Sequence, residues 1–346
     1  MELLKTPKED IARDEVVLLQ EAQTKIKEMI AQDVTNGVPK AETEKKIQAL
    51  IDEFVNETTL DKMAIRSSLL VLAKNGYWIT SRNFRILKER FSKEMKQIEP
   101  SYLVGVGFDL KQEMDKFRPY RDTAPKGLAV IESYQKRVKS VMSDLATQPA
   151  KVVMNKNGNL INFSQRNYAE MTVRYQANME DLERLKDSEN DLVWTSQHAD
   201  CSMRCQPWQN RLYSISGKTG KIDGIEYTPL AEAMAGKDGT GNGIITGYNC
   251  RHRLIPYQRG TRPQREFDSA FIRKQRAVDQ RQRQYENDIR NLKTKERLAR
   301  STGDTEEAQR LNDRWKSNLE KYKAYSFRNG RAYYEWRTQI NRVEAR

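Results

Sequence analysis

Trp194-Thr-Ser-Gln-His198-Ala-Asp-Cys201-Ser-Met-Arg-Cys205-Gln-Pro-Trp208-Gln209 and, further along, Asn249-Cys250-Arg-His252 contain every cysteine and every histidine of the chain. On a helix, His198, Cys201 and Cys205 at i, i+3 and i+7 would share one face. Cys250 and His252, two apart, would share one side of an extended segment. Folding the second cluster over the first offers imidazole and thiolate donors of the kind that tetrahedral zinc takes. The spacing is not the paired Cys-x-x-Cys of a standard finger or ribbon, and five candidates exceed the four places. The competing reading has the imidazoles hydrogen-bonded to nearby backbone while the small cysteines fill a core. Catalytic motifs are incomplete. No His-x-Glu precedes a Cys-x-x-Cys, and there is no His-Glu-x-x-His. A nucleophile pair such as Cys250 with His198 has no further signal behind it.

Outward from these clusters the sequence around them is short-stranded. Val152–Met154 and Leu160–Phe163 flank Asn155-Lys-Asn-Gly158, a hairpin signature. Ser164 can cap a helix with the face Tyr168, Met171, Tyr175, Met179, Leu182 and Leu185. Arg211–Ser216 and Ile225–Tyr227, with glycines at 217, 220 and 224 between them, predict a second hairpin. A glycine-rich loop, Gly236–Gly247, leads into the second cluster.

On both sides the chain reads as helix. Leu18, Ala22, Ile26 and Met29 form one stripe, ended by Asn36-Gly-Val-Pro39, and Ile47, Leu50, Ile51 and Phe54 form another. Thr58-Thr-Leu-Asp61 has capping-box spacing, and the helix it opens is expected to stop at Asn75-Gly76. Phe84, Leu87, Phe91, Met95 and Ile98 give the next stripe, a loop-rich stretch fills Pro100–Gly127, and 128–147 is helical again. Beyond Pro263, Phe267, Phe271, Val278, Tyr285 and Leu292 recur at heptad-like intervals. Ser301-Thr-Gly-Asp304 breaks and recaps the helix, and Leu311, Trp315, Leu319 and Tyr322 return as an αα-hairpin. Tyr333, Trp336, Ile340 and Val343 predict a short last helix. The fold class is therefore α+β. A mainly helical region spans 1–149, a small α+β domain with short hairpins and the Cys/His clusters spans 150–262, and a basic helical hairpin spans 263–346.

Charge is uneven along the 346 residues. The net balance of +13 divides into +1 over 1–250 (36 Lys/Arg, 35 Asp/Glu) and +12 over 251–346 (25 Lys/Arg, 13 Asp/Glu). Such asymmetry fits a segment that meets phosphate, or a solvated helical face. Arg273, Lys274, Arg276, Arg281, Arg283 and Arg290 are the candidates for phosphate contact. No apolar run is long enough to span a membrane, and the N-terminus lacks a signal-peptide core. Three cysteines without an export signal argue against a disulfide scaffold.

Several rare residues in order carry a resemblance. Trp194-Thr-Ser-Gln-His198-Ala-Asp-Cys201, Trp208-Gln209, Leu212–Gly217, Tyr227-Thr-Pro229-Leu230, Asn249-Cys-Arg-His252 and Pro256-Tyr257 resemble the phage minor capsid proteins, relatives of the Mu F-type head morphogenesis proteins. Gly158–Phe163 and Tyr168–Arg174 look like the same family's strand and helix. This chain has Asn210 where the family usually carries glycine, a residue that still adopts positive φ. It has Cys205 where His is frequent, the kind of exchange a metal site tolerates. The resemblance implies a structural protein present in few copies in the virion and assembled in the host cytoplasm. It would lie at the portal vertex or head interior, contact portal or major capsid protein and packaged double-stranded DNA, and influence packaging or ejection. The alternative function is a zinc-dependent hydrolase or nuclease delivered with the genome, with an open metal position beside a carboxylate such as Asp200.

Overall fold

The computed structural model describes residues 7–59, 62–98, 125–149, 151–154, 160–163, 165–186, 190–235, 245–247, 250–261 and 266–341. These form helices α1 (Pro7–Thr35), α2 (Lys40–Glu57), α3 (Lys62–Ile98) and α4 (Pro125–Thr147), then strands β1 (Lys151–Met154) and β2 (Leu160–Phe163). Helix α5 (Gln165–Lys186), β3 (Leu192–Thr195), β4 (Leu212–Ser214), β5 (Gly220–Ile222), β6 (Ile225–Pro229), α6 (Leu230–Ala235) and β7 (Leu254–Pro256) follow. Helices α7 (Ser269–Ser301) and α8 (Thr305–Arg328) close the order. The protein is α+β, predominantly helical with a small mixed sheet. Among the described residues no helix is long and apolar enough to cross a membrane.

The chain divides into two compact units, 1–12 with 167–284 and 13–166 with 285–346. The second unit holds the N-terminal helices from residue 13 and the C-terminal hairpin from residue 285.

In that helical unit α3 packs on α2 and α4. Its inward face is Ile65, Leu69, Leu72, Ala73, Thr80, Phe84 and Phe91. The helix does not stop at Asn75-Gly76. Gly76 lies mid-helix at a close crossing, where an added Cβ would stand 3.0 Å from Gln148 Oε1 and 3.1 Å from Ile30 Cδ1. The glycine is there because neighbours approach closely, which outweighs its cost of about 1 kcal/mol in a helix. The expected capping box also has another role. The Thr58 hydroxyl donates to the buried Glu15 carboxylate at 2.6 Å, as do the Thr59 amide (2.7 Å) and hydroxyl (2.6 Å), while Leu60 and Asp61 lie outside the described residues. Lys27 of α1 is 1% exposed and donates to the carbonyls of Ala146 (2.8 Å) and Gln148 (3.1 Å). It satisfies acceptors that a helix C-terminus leaves without partners.

The αα-hairpin is present. Gly303 turns the chain at φ +80°, and Asp304 caps α8 by accepting the Glu307 N–H at 3.0 Å. Leu292 and Ala299 of α7 pack on Ala308, Leu311 and Trp315 of α8. The last helix is not formed to the length expected. Glu335–Thr338 makes one 3-10 turn between extended Tyr334 and Gln339, and Val343 lies outside the described residues. One turn gains too few hydrogen bonds to propagate.

Strands β1 and β2 pair antiparallel, with Met154 opposite Leu160; the turn between them lies outside the described residues. The other unit is built on a five-stranded sheet in the order β5-β6-β4-β3-β7. The second hairpin falls one strand later than its sequence suggests. β4 and β6 are parallel, and the hairpin joins β5 to β6 with Ile222 opposite Ile225. The two-residue loop is Asp223 (φ 48°) and Gly224 (φ 83°), an Asp-Gly pair whose positive φ values suit the strand twist. Side chains alternate across the sheet. Val193 and Tyr213 point to one face, covered by Leu182 of α5, Leu230 and Ala233 of α6, and Ile245. Trp194, Leu212 and Tyr257 cluster on the other face.

Candidate functional site

The Cys/His clusters meet because β3 and β7 are antiparallel neighbours, with Thr195 opposite Leu254. The segment leaving β3 therefore starts beside the segment entering β7. The ladder runs one residue further, since the Ser196 N–H donates to Arg253 O (2.9 Å) and the Arg253 N–H to Ser196 Oγ (2.8 Å). The first cluster is not a helix. Residues 196–205 are extended and turned, with a 3-10 turn at Gln206–Trp208. Pro207 and the polar run before it favour turns here. Cys250 and His252 lie in the irregular segment that leads into β7, and both are buried.

Gln209, 5% exposed, joins the two segments. Its Oε1 accepts the His198 backbone N–H at 2.9 Å and faces His252 Nε2 at 3.1 Å. Because Oε1 is an acceptor, Nε2 carries the proton and donates, leaving the Nδ1 lone pair toward Cys250 Sγ at 3.5 Å. The thiol is thus the donor to Nδ1. His198 Nε2 donates to Arg251 O at 3.1 Å and stands 3.1 Å from Ser196 Oγ. The two imidazoles meet edge to face, centroids 4.8 Å apart. Asn178 of α5 ties Cys250 O from the other side at 3.1 Å.

Burial sets the charge state. It pushes the His252 pKa down to about 3, reinforced by His198 and Arg251 nearby, and lowers His198 as well. It pushes Cys250 up to about 11 against the opposing backbone N–H groups of His252 and Thr246. Burial, with Cys205 and Asp200 adding, likewise raises Cys201 to about 11, and Cys205 is raised. At neutral pH the cluster holds thiols and neutral imidazoles. A nucleophilic pair needs the reverse, a lowered thiol beside a raised imidazole and access to solvent. Asp200, the carboxylate an enzyme would use, is paired with Arg251 at 3.0 Å.

Chemically the donors suit zinc. In place, however, no group of three or more His, Cys, Asp or Glu side chains among the described residues is arranged to hold a metal ion. Cys250 Sγ and His252 Nδ1 stand 3.5 Å apart, a ligand-like separation.

The cationic candidates all lie on α7. With about 100° of turn per residue, Arg273, Lys274 and Arg281 share the outer arc, and all three are exposed. Arg276 and Arg283 lie at the flank, half-buried, with Arg283 on Asp279 at 2.9 Å. Arg290 differs from the others: it is 5% exposed and its guanidinium donates to Arg337 O and Asn287 Oδ1. Its arc faces inward, so it cannot reach a phosphate.

Gln209 and Ser196 were not singled out by sequence reasoning as site residues. The signal for Gln209 was its place in Trp208-Gln209, within the family-like pattern. That pattern now has physical content. Trp194 Nε1 donates to Thr261 Oγ1 at 3.1 Å, the Tyr257 hydroxyl to Asp223 at 2.6 Å, and the Tyr213 hydroxyl to Trp208 O at 2.8 Å. Asn210 takes φ 56°, the conformation glycine would supply.

No curated protein and no solved structure matches the chain. The family model of phage minor capsid protein 2 matches residues 120–325, which span the sheet, the Cys/His junction and most of the α7–α8 hairpin. The chain belongs to the phage minor capsid protein 2 family.

Proposed function

We propose that this capsid protein is present in few copies, at the portal or on the inner head surface, and meets packaged double-stranded DNA during packaging or ejection. The observation that carries the DNA contact is the exposed cationic arc Arg273, Lys274 and Arg281, inside the quarter of the chain that holds nearly all the excess charge. Contact would be with phosphates, independent of base sequence. The test is titration of the full chain with duplex DNA against a variant carrying Arg273→Glu, Lys274→Glu and Arg281→Glu. Three phosphate contacts give a log–log salt slope of about −2.7, so affinity should drop roughly 40-fold between about 50 and 200 mM salt. Salt-independent binding, or a variant that binds like the parent, removes the proposal.

A second reading concerns the Cys/His junction. Zinc–sulfur and zinc–nitrogen bonds of about 2.3 and 2.05 Å set tetrahedral ligands about 3.5 Å apart. Cys250 Sγ and His252 Nδ1 have that 3.5 Å separation. Gln209 accepting Nε2–H is the outer support a ligating imidazole uses. Cys201 and Cys205 or His198 would have to turn in to complete the set, and the ion would act as a structural closure. Metal analysis of the purified chain beside Cys250→Ser decides it: one equivalent of zinc, lost in the variant, establishes the site, and metal-free protein dismisses it.

A further inference from the structure

Helix α3 carries apolar side chains on its outward face as well as its inward one. Val71 (50% exposed), Trp78 (60%), Ile79 (39%) and Ile86 (47%) lie in solvent. The 100° step per residue puts them within an arc of about 100°, opposite the buried stripe of Leu69, Ala73, Thr80 and Phe84. They recur at seven-residue intervals, 71 to 78 and 79 to 86, over about 22 Å of helix. This is the spacing at which one helix receives another along a shallow left-handed crossing.

Cations stand within the stripe and along one of its margins. Lys74, Arg82, Arg85 and Lys93 are exposed along the same side of the helix, with Glu89 the carboxylate among them, 3.9 Å from Arg85. Arg82 lies over the Trp78 ring at 5.3 Å, and the tryptophan remains 60% exposed. A second copy laid on this surface would set Lys74, Arg82 and Arg85 against their own kind. A nucleic acid has no use for an isoleucine–valine seam. An amphipathic helix with carboxylates beside its apolar stripe satisfies both features.

We propose that the outer face of α3 docks an acidic amphipathic helix of a partner protein, with Trp78 as the anchor and Lys74 and Arg82 reading the flanking carboxylates. This surface is separate from the DNA contact proposed for α7 and stands without it.

The full chain would be titrated with two labelled synthetic peptides, each about three heptads long with a leucine seam, one flanked by glutamate and the other by lysine. The expected result is saturable binding of the glutamate peptide only. Trp78→Ser with Ile86→Ser should weaken it by roughly 30-fold or more, as loss of a central aromatic anchor does. Lys74→Glu with Arg82→Glu keeps the apolar stripe, and it should weaken the glutamate peptide by about tenfold and admit the lysine peptide. Both variants replace exposed side chains, and if the serine pair precipitates the charge pair still decides. Any of four results overturns the proposal. They are no binding of the glutamate peptide, equal binding of both peptides, unchanged binding by the charge variant, and tighter binding of phosphatidylglycerol vesicles or duplex DNA through the same residues. Self-association of the parent that Trp78→Ser abolishes would also overturn it, by assigning the face to a second copy.

Discussion

Replacing Gln209 with methionine tests whether the two Cys/His segments are held by the amide between them. The side chains have similar volume, so packing is kept while the acceptor is removed. Two donors lose their partner, the His198 N–H at 2.9 Å and His252 Nε2–H at 3.1 Å. Both sit around a residue 5% exposed, and His252 is 3% exposed, so water does not substitute freely. A buried donor left without its bond costs about 1–3 kcal/mol. Loss of both should destabilise the sheet unit by about 2–4 kcal/mol, less whatever the imidazole recovers by reorienting. Urea unfolding is followed by tryptophan emission, to which Trp194 and Trp208 contribute from this unit and Trp78, Trp315 and Trp336 from the other, so the parent and variant curves are compared for the change alone. A midpoint shift worth less than about 0.5 kcal/mol would refute the amide as the connector and leave the sheet pairing alone to hold the segments.

Acid should act through His252. Its pKa falls from 6.5 when unfolded to about 3 when folded, so the unfolded state binds more protons between those values. Stability is complete above about pH 6.5 and is lost as pH falls toward 3, by a few kcal/mol in order of magnitude; His252→Asn should flatten that slope in pH-dependent urea titrations. Lys27 acts with the same sign in a higher pH window. Burial lowers it to about 7 from 10.5, so the helical unit should gain stability as pH rises from 7 to 10, and melts of Lys27→Met at both ends should show that gain gone. Gly76→Ala places a methyl at 3.0–3.1 Å from Gln148 and Ile30, and it should lower stability by about 1–3 kcal/mol despite alanine's better helix propensity; a stabilised variant would refute the close-crossing account. If the zinc closure forms, EDTA should lower the unfolding midpoint of the sheet unit, and an unchanged midpoint dismisses it.

The helices were legible because their buried faces recur at 3.6-residue spacing, as Leu18, Ala22 and Ile26 do. The capped turn at Asp304 was equally plain. Gly76 misled because glycine marks both a helix stop and a close crossing, and only the position of Ile30 and Gln148 separates the two. The parallel pairing of β4 with β6 was hidden for a similar reason. Alternation fixes which face a residue takes, but it does not fix its partner strand. For the site, clustering of five rare residues located the junction. The geometry that matters, one glutamine amide bridging two segments, depends on the adjacency of β3 and β7, which no local pattern encodes. Arg290 shows the same limit, since one acceptor of its guanidinium, Arg337 O, lies 47 residues along the chain.

The adjacency of β3 and β7 also sets an order of events during synthesis. The β5–β6 hairpin closes over two residues and needs about microseconds. The pairing of Val193 with Pro256 must instead wait until the ribosome has delivered β7, and it pays the closure entropy of the whole intervening loop. Until then Ser196 has no Arg253 ladder beside it, and Asp200, next to Cys201, has no Arg251 to pair with. A nascent chain stalled before residue 250 should therefore alkylate at Cys201 within the time of a brief thiol pulse, while the released protein, in which that residue is 3% exposed, should resist. If both react equally, the thiol is not protected by strand closure. Where strand closure does protect it, translation speed through 206–257 becomes a determinant of how much of the protein keeps its thiols intact.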